Sequence, residues 1–170
     1  IAASQDPDSL LNRSMTVLPA ETDPNSRAFH AHEQPAGSGI TDARSLARLY
    51  ASLIGEGVDG IRLLSDETMQ RATTEQAGGI DKVMSVPIRF GLGFTLNTPI
   101  PEGFPEFDSL GGALGQEGAF GHAGAGGSLG FADPKAGFAF GYVMNQMHMV
   151  AGGDDPRTLS LIKAVHASVS

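Results

Sequence analysis

An α+β fold, an antiparallel sheet flanked by helices, is what this sequence predicts, and three observations predict it. Two stretches with helical spacing occupy the first half. Short apolar runs, each ended by Gly, Pro, Asp or Asn, occupy the second half, and one amphipathic stretch closes the chain. No internal repeat is visible.

The elements follow in order. Residues 1–39 are polar and turn-rich, with Pro7, Pro19, Pro24 and Pro35 interrupting any long element. A loop of that length is uncommon in a compact domain unless it packs on something else. Over residues 42–54 the apolar positions Ala43, Leu46, Ala47, Tyr50, Leu53 and Ile54 keep helical spacing, with Thr41 expected as N-cap and Gly55 as stop. A second helix starts at Ser65. Asp66 and Glu67 fall in its first turn, where the helix dipole favours acids, and Leu64 and Met69 sit at hydrophobic-staple positions.

After Gly78 the texture changes to strand-like runs at 90–96, 119–124, 129–132 and 138–145. The turn Asp133-Pro134-Lys135-Ala136-Gly137 joins the last two as a hairpin. Asp155-Pro156 opens the closing helix, with Pro at the favoured first position and Leu159, Ile162, Val165 and Val169 as the expected inward stripe. The organisation expected is the C-terminal part of one domain: a loop and helical region over 1–80, antiparallel strands over 88–150, and a helix over 155–169.

Runs such as Phe138-Ala139-Phe140-Gly141-Tyr142-Val143 alternate poorly between apolar and polar, which predicts burial on both faces. Three strands with one helix cannot supply that cover, so partner elements are expected on polypeptide preceding Ile1. The start at Ile rather than Met agrees with that expectation.

At 170 residues and 41% hydrophobic content the chain is long and apolar enough for a real core. Its 23 glycines are far above ordinary usage, so the backbone turns often or lets neighbours approach closely. A net charge of −8 with no Lys/Arg run removes the usual source of nucleic-acid affinity. No apolar stretch approaches the length of a membrane span. With no cysteine, disulfides and thiolate metal sites are excluded, and the compartment is left open with the cytoplasm as default expectation.

Four stretches invite a chemical reading. Gly126-Gly127-Ser128-Leu129-Gly130 fits the G-x-S-x-G nucleophile elbow, but that elbow needs a helix directly after the serine. Here Phe131-Ala132-Asp133-Pro134 reads as strand and turn, and the acids read as partners for His166, Asp154 and Asp155, both sit at a helix start. Ser160-Leu161-Ile162-Lys163 fits S-x-x-K, yet with Pro156 opening the helix Ser160 lies too deep for its N–H to be free. His30-Ala31-His32-Glu33 presents two imidazoles, but a metal site needs a third ligand and outer-shell support. The fourth stretch runs Phe120-Gly121-His122-Ala123-Gly124-Ala125-Gly126-Gly127-Ser128. A strand so poor in side chains can offer backbone N–H groups to a substrate carbonyl. A tight hairpin with a structural histidine explains the same spacing equally well.

Residues 120–134, followed by Phe140-Gly141-Tyr142-Val143-Met144-Asn145, resemble the C-terminal half of β-lactamase-related serine esterases, the family VIII carboxylesterases that are similar to class C β-lactamases and penicillin-binding proteins. Residues 35–50, Arg62-Leu63-Leu64-Ser65 and residues 89–94 agree with that family in the same order, so the resemblance covers roughly 35–167. It implies a β-lactamase/transpeptidase-like fold and a serine hydrolase working through an acyl-serine. It also implies that His122-Ala123-Gly124 is the family's third motif, with an oxyanion-holding N–H at Ala125. The nucleophilic serine with its lysine, and the tyrosine motif, would lie before Ile1, so the N-terminal part of the same protein is the expected partner of this chain. No cofactor and no metal are implied.

Tyr50-Ala51-Ser52 looks like a tyrosine motif, but Tyr50 sits on the apolar stripe of its helix and reads as core. In the family's penicillin-recognising members a lysine occupies the position of His122. An imidazole with its ordinary pKa of about 6.5 is mostly neutral at pH 7 and attracts a carboxylate less. The expectation is therefore a small neutral ester substrate. A β-lactamase, a D-aminopeptidase or a transesterase on the same scaffold, or a non-catalytic binding module, are the alternatives.

Overall fold

The computed structural model describes residues 6–15, 23–37, 39–98, 102, 114, 116–148 and 155–169. The expectations placed on Pro19 and Asp154 lie outside them. The chain divides into two compact units, Ile1–Thr41 with Lys82–Met84, and Asp42–Asp81 with Ser85–Ser170.

The first unit holds two short helices, α1 (Leu10–Met15) and α2 (Arg27–His30). Ser26 caps α2 by accepting from Phe29 N–H at 3.1 Å. Among the described residues, the region expected as loop carries these two short helices of six and four residues.

The second unit holds α3 (Ala43–Ala51), α4 (Asp66–Thr73), six strands and α5 (Pro156–Val169). The strands are β1 (Ala77–Ile80), β2 (Pro87–Phe90), β3 (Thr95–Leu96), β4 (Phe120–Ala123), β5 (Leu129–Asp133) and β6 (Phe138–Tyr142). They form one antiparallel sheet in sequential order, which matches the α+β class expected. Three details differ. Asp42 rather than Thr41 caps α3, its carboxylate accepting from Ser45 N–H at 2.7 Å. The run at 90–96 is two strands, because Gly93 takes φ +83° and closes a turn in which Gly91 N–H bonds Phe94 carbonyl at 2.9 Å. The sheet also begins at Ala77, inside the region expected to be helical: Ala-Gly-Gly-Ile carries no strand signal of its own and is extended because β2 pairs with it throughout.

What looks like poor alternation in β5 and β6 is alternation of another kind. Leu-Gly-Phe-Ala-Asp and Phe-Ala-Phe-Gly-Tyr alternate large with small, and the register puts Gly130 opposite Gly141 and Ala132 opposite Ala139 on one face. That face is shallow enough for α3 to lie directly on it: a side chain on Gly130 would enter the Tyr50 ring, and one on Gly141 would meet the Ala43 carbonyl. Tyr50, Leu53, Met69, Leu96, Phe120 and Ala132 form the core there. Tyr50, at 8% exposure, is core as its spacing predicts.

The opposite face carries the large residues. Leu129 and Phe131 pack with Leu114, Ala119 and Ile162 of α5, and Phe138 and Phe140 close over them. Burying one such phenylalanine is worth roughly 1.5–3 kcal/mol. β5 is accordingly buried at all five positions. The two-faced burial expected from the sequence is present at β5, where α3 and α5 of this chain supply the cover, whereas β6, part of the run that suggested it, is half-buried throughout and Val143 is 38% exposed. On α5 the expected stripe holds in part: Ile162 is buried and Leu159 and Val165 are half-buried, Thr158 is buried beside them, and Val169 is 48% exposed.

Candidate active site at the β4–β5 turn

His122 lies on β4 opposite Gly130, and Gly124 and Ala125 follow it into the turn to β5. Pairing with β5 runs the length of β4, from Phe120 to Ala123, whereas pairing with β3 covers only Phe120 and Gly121. Among the described residues, the outer edge of β4 is thus unpaired from His122 onward. A short neighbour of two residues is what exposes it.

The turn is built by glycine. Gly124 N–H bonds Ser128 carbonyl at 2.7 Å, and Gly127 N–H bonds Gly124 carbonyl at 3.1 Å. Gly126 then occupies the third position of that four-residue turn with φ +84°, which a type II turn demands and a side chain resists. At Gly124 the constraint is crowding, since a β-carbon would collide with Ser128 Oγ. Ala125 is exposed, and among the described residues its N–H makes no hydrogen bond. It is a free donor at the open edge.

The imidazole of His122 is exposed, and its Nδ1 lies 2.6 Å from its neighbour's carbonyl, Ala123 O. A carbonyl oxygen can only accept, so Nδ1 carries the proton, and in the neutral ring Nε2 is left as the acceptor. Phe90 lies nearly parallel to the imidazole, with centroids 6.4 Å apart, and walls the site on the β2 side.

The back of the turn is held from a distant part of the chain. Arg157, in the first turn of α5, donates from Nη2 to Gly126 carbonyl at 3.1 Å and from Nη1 to Gln146 carbonyl at 3.2 Å. Thr158 Oγ1 donates to Gly127 carbonyl at 3.2 Å, and His148 N–H to Gly126 carbonyl at 3.0 Å. Asp155, its carboxylate buried, grips the Arg157 guanidinium through Nε at 2.9 Å and through Nη2. That hydrogen bond, ahead of all other influences, holds the Asp155 carboxyl below the ordinary carboxylate range. It likewise raises Arg157.

His122, Gly124 and Ala125 thus lie side by side along β4 and its turn, as neighbours in sequence. Phe90 and the Asp155–Arg157–Thr158 group are not visible in the sequence as site residues. Asp155-Pro156 reads as a helix start and no more, and 31 residues separate Arg157 from Gly126.

None of the other three readings gains its chemistry. Ser128 is followed directly by β5, not by a helix. Ser160 Oγ bonds Arg157 carbonyl at 2.8 Å within its own helix. His30 Nε2 bonds Pro24 carbonyl at 2.9 Å. Among the described residues, no group of three His, Asp or Glu side chains is placed to hold a metal, and no helix is long and apolar enough to cross a membrane.

Residues 3–163 match the Beta-lactamase family. The chain is 37% identical over 117 residues to the Esterase/beta-lactamase LipL of Mycobacterium tuberculosis, an alignment that takes in 68% of the chain and 24% of that protein. Its fold is similar to the crystal structure of a family VIII carboxylesterase, with a TM-score of 0.70 and 36% identity over 84% of the chain and 36% of the other. It is also similar to EstA from Arthrobacter nitroguajacolicus Rue61a, with a TM-score of 0.69 and 30% identity over 96% of the chain and 42% of the other. The chain thus spans about a quarter of the length of the curated relative it matches. With the match running over nearly the whole chain and the fold shared, this chain belongs to the Beta-lactamase family.

Proposed function

We propose that this chain is the C-terminal part of a serine hydrolase that cleaves small carboxylic esters through an acyl-serine intermediate, the serine, lysine and tyrosine lying on an N-terminal part of the same protein. The observation that carries this reading is the free, exposed N–H of Ala125 at the open end of β4. In acyl transfer the carbonyl oxygen gains charge as the nucleophile attacks, and fixed N–H donors there lower the barrier. Ala125 N–H would be one donor and the serine's own N–H the other.

His122 would line the substrate cleft beside that donor. In its neutral form it carries no fixed charge to attract a carboxylate, which supports an uncharged ester as substrate. Phe90 would give the cleft an apolar wall. The relatives named as carboxylesterase and as esterase/beta-lactamase support the same class. The double name of LipL also supports β-lactam turnover as a second reading.

The test is a comparison of substrates in the full-length protein. A p-nitrophenyl butyrate rate well above those for nitrocefin and a D-alanine p-nitroanilide is expected, together with fluorophosphonate labelling of a serine upstream of Ile1. Faster nitrocefin turnover would replace the ester by a β-lactam, and labelling of residues 1–170 in isolation would overturn the placement of the nucleophile.

A further inference from the structure

We infer that Arg157 is a positioning residue for the oxyanion-binding turn, acting through the carbonyl of Gly126 to fix the Ala125 N–H; the inference rests on the hydrolase reading proposed above. A glycine pair such as Gly126-Gly127 brings more conformational freedom to a turn than any other residues do. Both take positive φ, +84° and +110°, and Gly124 before them is also a glycine. Left to itself, such a turn would sample several orientations of its central peptide. An oxyanion donor must instead be held where the charge develops, because a reorienting donor repays its own reorganisation from the rate.

The structure supplies that restraint through carbonyls. Gly126 carbonyl accepts from both Arg157 Nη2 and His148 N–H, and Gly127 carbonyl accepts from Thr158 Oγ1. Arg157 is itself fixed, since the buried Asp155 holds two of its nitrogens and Gln146 carbonyl a third. Asp155 also accepts from Arg157 N–H at 2.9 Å, so the guanidinium is anchored at both its root and its head. Room for a side chain on the turn is absent as well: one on Gly127 would meet Asp155 and Arg157, and one on Gly126 would meet Met147. A planar fork can bridge the carbonyls of residues 126 and 146 together; an ammonium on a flexible stem does so poorly.

The role differs from that of a group touching substrate. Arg157 reaches the reaction through the peptide backbone, so its loss is expected in kcat far more than in KM. In the full-length protein acting on p-nitrophenyl butyrate, Arg157→Ala is expected to lower kcat by about tenfold to a hundredfold, with KM changed by no more than about threefold. Arg157→Lys is expected to fall nearly as far, and Thr158→Val, which removes one hydroxyl from the same clamp without a change of shape, to fall less. Added guanidinium is expected to restore part of the Arg157→Ala rate saturably, and methylammonium not to.

The acyl-enzyme gives a second readout. Its ester carbonyl stretch, read by infrared difference spectroscopy, is expected to move to higher wavenumber in Arg157→Ala as the Ala125 hydrogen bond loosens. A purely structural arginine would lower the melting temperature and leave that frequency alone. An active wild type whose Arg157→Ala and Thr158→Val variants keep kcat and carbonyl frequency overturns this inference alone. A full-length wild type inert toward esters overturns the hydrolase reading and this inference with it.

Discussion

Asp133 and His166 face each other across the second core, with Asp133 Oδ2 3.9 Å from His166 Nδ1 and the aspartate wholly buried. The other carboxylate oxygen of Asp133 accepts from Lys135 N–H at 3.0 Å and Ala136 N–H at 2.9 Å, so one side chain both shapes the β5–β6 turn and meets the closing helix. The His166 ring packs edge-on against Phe138, with centroids 5.0 Å apart. Removing the carboxylate leaves two turn N–H groups without their acceptor. Asp133→Ala is expected to cost about 1–3 kcal/mol in urea unfolding. Asp133→Asn, which keeps one carbonyl oxygen for both donors, should cost clearly less. Equal losses in the two variants would mean that the turn hydrogen bonds are not the reason.

The contact between α3 and the sheet makes a second expectation. Gly141 sits where a β-carbon would meet the Ala43 carbonyl and lie 2.7 Å from the Ala47 backbone nitrogen, so the obstacle is helix backbone that cannot rotate away. Gly141→Ala should destabilise by about 1–3 kcal/mol through overpacking. Gly39→Ala, where nothing lies within 4 Å and φ is not positive, should be close to neutral. Melting temperatures of the two variants decide it, and equal shifts would refute the close packing of α3.

Acid stability should report the Asp155–Arg157 pair. The Asp155 carboxyl is held low in the folded protein, first by the Arg157 side chain, so it stays ionised to lower pH there than in the unfolded chain. The sign follows: the unfolded chain takes up the proton first. The contribution of this group is complete above the unfolded carboxylate value of about 3.9 and disappears as the pH falls from there through the lowered folded value. Urea unfolding across that range should show Asp155→Asn losing less stability with acid than the wild type does. Parallel curves would remove Asp155 as the linked group.

Substrate preference should follow the charge at position 122. His122→Lys places a fixed cation beside the free Ala125 N–H, at a position that is exposed and needs no repacking. Charge-assisted hydrogen bonds are worth about 1.5–3 kcal/mol, so the ratio of nitrocefin to p-nitrophenyl butyrate kcat/KM is expected to rise about tenfold or more. An unchanged ratio in an active variant would show that this side chain does not set substrate preference.

How far the sequence carries depends on the range of each interaction. The α3 stripe is legible because helix geometry repeats every 3.6 residues and needs no partner to be recognised; Ala43, Leu46, Ala47 and Tyr50 turn inward on it, while Leu53 and Ile54, expected as its continuation, lie in the turn after the helix ends at Ala51. The cap at Ser65 is legible for the same reason, its hydroxyl accepting from Thr68 N–H three residues on at 3.2 Å. So is the hairpin after Asp133. By contrast, Ala77–Ile80 has no reason to be a strand except its pairing with β2, and Val169 reads as inward on a helical wheel yet is 48% exposed.

Local chemistry written into neighbouring residues thus determined the fold class, the two helical stripes, the cap at Ser65, the hairpin after Asp133, and the glycine-lined stretch through His122, Gly124 and Ala125. Tertiary structure alone decided that α3 and α5 divide the two faces of β5, that β3 stops short and leaves Ala125 open, and that Arg157 closes on Gly126. Each of those depends on groups far apart along the chain meeting in space, and neither spacing nor composition encodes a distance that only the folded core imposes.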